Sequence, residues 1–123
     1  MALAQAGLAR TMIDLGEDAS VALSLAQQAL SSAPSNPVVA GDLGWVYFKE
    51  GLPHLAIPLL RQAAEKQPTR GSFRLHLGMA YSATGDKAQA RQFLVEALGL
   101  GLSQPEAQQA QQALAELSKQ AER

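Results

Sequence analysis

Apolar residues fall along the chain in groups three and four apart, and each group ends at a polar, glycine or proline break. That pattern predicts helices and no strand. The predicted helices cover about 3–15, 19–32, 37–49, 53–66, 72–83, 87–98 and 105–120. Their ends carry their own signals. Asn36 followed by Pro37 is an N-cap with proline in the first turn. Asp86 with Gln89, and Ser103 with Glu106, have capping-box spacing. Gly51 and Gly85 stand where a first helix must stop. Pro34 and Pro68 follow a second helix and prevent its continuation. Pro58 falls inside the helix over 53–66, near enough to its start that a slight bend is expected and not a break. No Ser, Thr, Asp or Asn precedes the first helix as a cap, so the chain is expected to be a piece of a longer protein.

The same residues recur at one offset. Leu43-Gly44 returns as Leu77-Gly78, 34 residues on, with Tyr47 as Tyr81, Gly51 as Gly85, Leu60 as Leu94 and Pro34 as Pro68. Ala22, Ala56 and Ala90 form a series of three, as do Ala29, Ala63 and Ala97. A period of this length suits a helix-turn-helix unit. Glycine inside a helix costs about 1 kcal/mol relative to alanine, so Gly44 and Gly78 call for a packing reason. The expected reason is a close second helix carrying the small alanines, with Leu43, Tyr47 and Leu60 filling the space between.

These residues resemble the tetratricopeptide repeat family. The likeness rests on Leu43, Gly44, Tyr47, Gly51, Ala56, Leu60, Ala63 and Pro68, and on Leu77, Gly78, Tyr81, Gly85, Ala90, Leu94 and Ala97. The first repeat departs from it, with Ala9-Arg10 in place of Leu-Gly and Ile13 in place of Tyr. The third has Leu102 in place of the closing proline. The resemblance implies an all-α, right-handed solenoid in one domain over residues 1–123. Its repeats would cover about 3–36, 37–70 and 71–104, with a polar capping helix over 105–121. That helix would turn Ala107, Ala110, Ala113, Leu114 and Leu117 inward, and Gln108, Gln109, Gln111, Gln112 and Glu116 to solvent. The stretch LGWVYFKEGLPHLAIPLL resembles repeats of bacterial members, some of them linked to exopolysaccharide export and protein sorting.

Composition narrows the chemistry. The chain is 47% hydrophobic and 17% charged, as a folded globule is. Ten Lys and Arg against eleven Asp and Glu leave a net charge of −1, with no basic stripe for nucleic acid. There is no cysteine, so disulfides, thiolate metal sites and cysteine nucleophiles are excluded. No apolar run approaches the ~20 residues of a membrane span. Residues 1–10 lack the features of a secretory signal, which leaves the compartment open if upstream sequence exists. His54 and His76 lie 22 residues apart without a ligand partner at helical spacing. Glu17-Asp18 sits ahead of a helix, where acidic residues favour its dipole. Gly99-Leu100-Gly101 follows a helix and not a strand, so it is no phosphate loop. No catalytic motif, metal or cofactor is expected, and the chain is expected not to be an enzyme.

The expected function is therefore binding. The resemblance implies that the first helix of each repeat lines a concave groove. Trp45 lies about 200° around its helix from Leu43, away from the hairpin core. The expected ligand groove holds Trp45 and Phe48 as anchors, Leu75 and Met79 as an apolar strip, and Asp42, Lys49 and His76 beside it. His76 titrating near its ordinary pKa of about 6.5 would make binding pH-dependent. The ligand would be a peptide or protein segment, the chain acting as adaptor or scaffold. Some family members grip a C-terminal carboxylate, but the matching positions here hold Gly7, Thr11, Asp42, Ser72 and His76, so that clamp is not expected. The alternative is a structural terminal piece of a longer solenoid, or a self-associating array. Leu3, Leu8, Met12 and Leu15 on the unpaired first helix point to a missing repeat or to a homodimer through that end.

Overall fold

The computed structural model describes residues 1–121, and among them it shows seven helices and no strand. They are α1 (Ala2–Asp14), α2 (Ala19–Ser32), α3 (Pro37–Lys49), α4 (Pro53–Lys66), α5 (Gly71–Thr84), α6 (Lys87–Leu100) and α7 (Gln104–Ala121). Each boundary falls within two residues of the sequence expectation, because most ends are set by local chemistry. The Asn36 side chain accepts from the amides of Val38 and Val39 at 2.9 and 3.3 Å, with Pro37 opening the helix. Asp18 caps α2 by accepting from Ser20 and Val21. Asp86 accepts from the Gln89 amide at 3.2 Å. Pro58 lies inside α4, which continues past it as one helix.

The first helices of the three hairpins stop in the same way. Gly51 has φ +77° and Gly85 has φ +87°, conformations that glycine adopts without strain. The amide of Leu52 donates to Tyr47 and that of Gly51 to Phe48, the two bonds of a Schellman ending. Asp86 and Gly85 donate to Tyr81 and Ser82 in the same pattern. Gly16, with Glu17 donating to Met12, gives α1 the same ending; it lies one residue out of the 34-residue register, which hides it in the sequence.

Helices α1/α2, α3/α4 and α5/α6 form three hairpins, and α7 closes the array against α5 and α6. A Cβ at Gly44 would lie 2.8 Å from Leu60 Cγ, and one at Gly78 would lie 2.8 Å from Leu94 Cγ. The period thus marks two contacts of the same kind. Between the second and third hairpins Phe73 packs on Gly41, and within the third repeat Leu102 packs on Gly71 where the closing proline is missing. Helices α3 and α5 each bury eight residues, whereas α1 buries only Ala6, Ala9 and Ile13. In α7, Ala110 and Leu117 are buried, Ala107, Ala113 and Leu114 are half-buried, and the glutamines face solvent. Among the described residues no helix is long and apolar enough to cross a membrane.

Candidate functional site

The expected groove residues are brought together, but most of them are covered. Trp45 is 6% exposed, Asp42 5%, His76 3% and Leu75 0%. Phe48 and Met79 are half-buried and Lys49 is exposed. The expectation of an open strip is corrected at those four covered positions. Small residues cause the covering. Gly41 admits the Phe73 ring against the α3 backbone, and this draws α5 onto α3. The His76 ring then stacks on Trp45 with centroids 4.0 Å apart and planes 25° apart. Phe48 stacks on Trp45 at 5.3 Å, and Lys49 Nζ lies 5.6 Å from its ring centre. Trp45 Nε1 donates to Asp14 of α1 at 2.7 Å. Trp45 points away from its own hairpin, as its helical angle requires, and into the junction of α1, α3 and α5.

A charged cluster lies in the same junction. Arg10 of α1 pairs with Asp42 at 3.5 Å, its side chain 30% exposed and that of Asp42 6%. Burial pushes the Asp42 carboxyl above its ordinary range, although Arg10 and Arg70 both favour its charged form. Burial also drives the His76 pKa down to about 3, and the nearby Arg10 and Arg70 lower it further. His76 is therefore neutral across the physiological range, and the expected titration near pH 6.5 is overturned. Arg70 lies over the Phe73 ring at 4.7 Å. Sequence reasoning missed Arg10 and Arg70 as members of this junction. One signal was present: Arg10 occupies the repeat position held by Gly44 and Gly78. Of the carboxylate-clamp positions, Asp42 and His76 are buried, and Ser72 Oγ donates to Glu106 at 2.8 Å.

What stays open lies further along the same side. A cavity of about 350 Å³ is lined by Phe48, Met79, Ser82 and Ala83 from α3 and α5, and by Ala113, Glu116 and Gln120 from α7. It combines an aromatic ring, a thioether and three small residues with one carboxylate. The contribution of α7 was not anticipated, since its position against α5 is tertiary. A second opening of about 390 Å³ lies between α4 and α6. Its Arg74 is already held by Glu96 at 3.2 Å and by the Pro68 carbonyl at 2.6 Å. His54 is exposed, and no group of three or more metal-ligating side chains occurs among the described residues.

A family model described as "Tetratricopeptide repeat" matches residues 47–117. Solved structures agree with it. The first tetratricopeptide domain of Spaghetti (RPAP3), bound to the HSP90 peptide SRMEEVD, superposes with a TM-score of 0.83 at 18% identity, covering 99% of this chain and 94% of that one. A MamA structure superposes at 0.77 with 28% identity, covering 95% of this chain and 65% of that one. The Yersinia enterocolitica type III secretion chaperone SycD, in complex with a peptide of the translocator YopD, gives 0.77 at 19% identity, covering 95% and 92%. No curated protein matches the sequence.

Proposed function

The chain belongs to the tetratricopeptide repeat family, and from that premise we propose that it is a non-catalytic interaction module, an adaptor or scaffold that holds a peptide or protein segment. The cavity between α3, α5 and α7 carries this reading. A ligand side chain of aliphatic or aromatic type would enter between Phe48 and Met79, over Ala83 and Ala113. Met79 adapts its shape to irregular partners. Glu116 at the rim would accept from a backbone amide or a basic side chain of the ligand. Trp45 and His76 have a different part: they hold α3 against α5 and so set the position of Phe48 and Met79. The peptide complexes of RPAP3 and SycD support the class of ligand and say nothing of its sequence here.

The test is affinity selection of a random peptide library on the intact chain, followed by titration of the selected peptides. Met79→Glu is expected to weaken binding at least tenfold, or about 1.4 kcal/mol, in the folded fraction read from its own thermal melt. Selected peptides that bind Met79→Glu and Phe48→Ala as tightly as the native chain would overturn the assignment of this cavity. The second reading, a self-associating or terminal piece of a larger array, is favoured by one observation, the bare outer face of α1.

A further inference from the structure

The cleft between α4 and α6 is where the array departs from its own repeat. Its floor and one wall are apolar, with Ala64, Leu77 and Phe93, and Arg61, Glu65, Arg74 and Glu96 bring charge to it. Each of these positions has a counterpart 34 residues earlier, at the junction of α2 and α4. The four charged residues are matched there by Gln27, Ser31, Ala40 and Gln62, none of which is charged. The first junction packs without any of the four charges, so the repeat does not require them. The volume differs as well. Leu30, half-buried in the first junction, stands where Ala64 does in the second, and the smaller side chain leaves space over the buried Leu77.

The added charges are not all used within the chain. Arg74 Nε donates to one oxygen of Glu96 at 3.2 Å, and the Gln92 amide donates to the other at 3.3 Å. Arg61, by contrast, makes no ion pair among the described residues. Its guanidinium lies over the Tyr81 ring, 5.7 Å from the centroid, and Tyr81 stacks on Phe93 with planes 4° apart. In the first hairpin the same position holds Gln27, which donates to the Tyr47 hydroxyl at 3.1 Å. The repeat thus has a way to satisfy this position internally, and Arg61 does not use it. A guanidinium resting on a ring keeps its N–H groups for a bidentate acceptor.

We propose that this cleft is a second docking site, one that takes a protein segment with an aspartate or glutamate beside a large apolar side chain. The carboxylate pairs with Arg61. The apolar side chain fills the space over Ala64 and Leu77, against the Phe93 ring. A phosphoryl group is disfavoured, because its second charge would meet Glu65 and Glu96. Arg74 and Leu77 lie on the opposite face of α5 from Met79 and Ala83, at 100° per residue. Both sites can therefore be filled at once, and this inference does not rest on the concave cavity. A scaffold that joins two segments needs two such faces.

The probe is a random peptide library selected on the full chain, each peptide being assigned to a site by the backbone amides it shifts in NMR spectra. Peptides of this cleft are expected to shift Leu77, Gln92 and Phe93 and to leave Phe48, Met79 and Ala113 unmoved. They are expected to share an acidic residue next to a leucine, isoleucine or aromatic one. Arg61→Gln, which gives this position the residue of the first hairpin, is expected to weaken them about tenfold and to leave the concave peptides unaffected. Arg61 is exposed, so the helical signal is expected to be preserved. Arg61→Lys should recover only part of the loss, since an ammonium cannot meet a carboxylate with two parallel bonds. A selection in which no peptide shifts the α4 and α6 amides overturns the inference and leaves the concave cavity standing. So do peptides that bind in the cleft but are indifferent to Arg61→Gln, or that bind more tightly once phosphoserine replaces their acidic residue.

Discussion

At the scale of residues, the fold depends on a few places where a side chain has no room. A leucine at Gly44 or Gly78 would have to displace Leu60 or Leu94, each fully buried. Gly44→Leu and Gly78→Leu are each expected to destabilise by roughly 1–3 kcal/mol in thermal or denaturant melts. His76 governs a different dependence. Its folded pKa is about 3 against an ordinary value of 6.5. Below pH 6.5 the unfolded chain takes up a proton that the folded chain refuses until about pH 3. Stability is therefore complete above 6.5 and falls as the pH drops through that window, by an amount on the order of a few kcal/mol. Asp42 has the opposite sign. Its raised pKa lets the folded state hold a proton more tightly, so its contribution is lost as pH rises above the ordinary carboxylate value. His76→Phe keeps a ring on Trp45 and is expected to flatten the melting temperature between pH 6.5 and 4. An unchanged acid slope in that variant would show that another group controls it.

At the scale of elements, each helix is bounded by local hydrogen bonds, and one such boundary also acts at long range. The Glu106 amide donates to Ser103 Oγ at 3.3 Å, and the Glu106 carboxylate accepts from Ser103 at 3.0 Å and from Ser72 of α5 at 2.8 Å. The Ser103–Glu106 pair at the start of α7 thus also fastens that helix to the array. Glu106→Ala is expected to cost about 1 kcal/mol. It should speed hydrogen exchange in the first turns of α7 more than in α3. Equal protection of α7 in the variant would mean that Ala110 and Leu117 alone hold it. These bounds were legible beforehand because a cap and its helix lie within a few residues of each other. The tie to Ser72, 34 residues away, was not.

For the whole molecule, burial is uneven along the array. Helices α3 and α5 are packed on nearly every side, while α1 buries one narrow face of Ala6, Ala9 and Ile13. Amides of α1 and α2 are expected to exchange through lower-energy openings than those of α3 to α6. In native-state exchange, protection of α1 equal to that of α5 at low protein concentration would contradict this. Peptide bound over Phe48 and Met79 is expected to raise protection in α5 and α7 and to leave α1 unchanged.

The sequence by itself determined the hairpins. The 34-residue period, the caps at Asn36 and Asp86, and the stops at Gly51 and Gly85 act over one or two turns, where chain connectivity already fixes the distance. It also placed Trp45 off the hairpin core, since helical angle is a local property. Only the tertiary structure decided what Trp45 meets. The seating of Phe73 on Gly41 brings α5, and with it His76, over the indole, while the separate packing of α1 on α3 brings Asp14 to its nitrogen. Small differences in that approach separate an open anchor from a buried one. The open cavity consequently moved to Phe48 and Met79, where α7 supplies a wall that no 34-residue period contains.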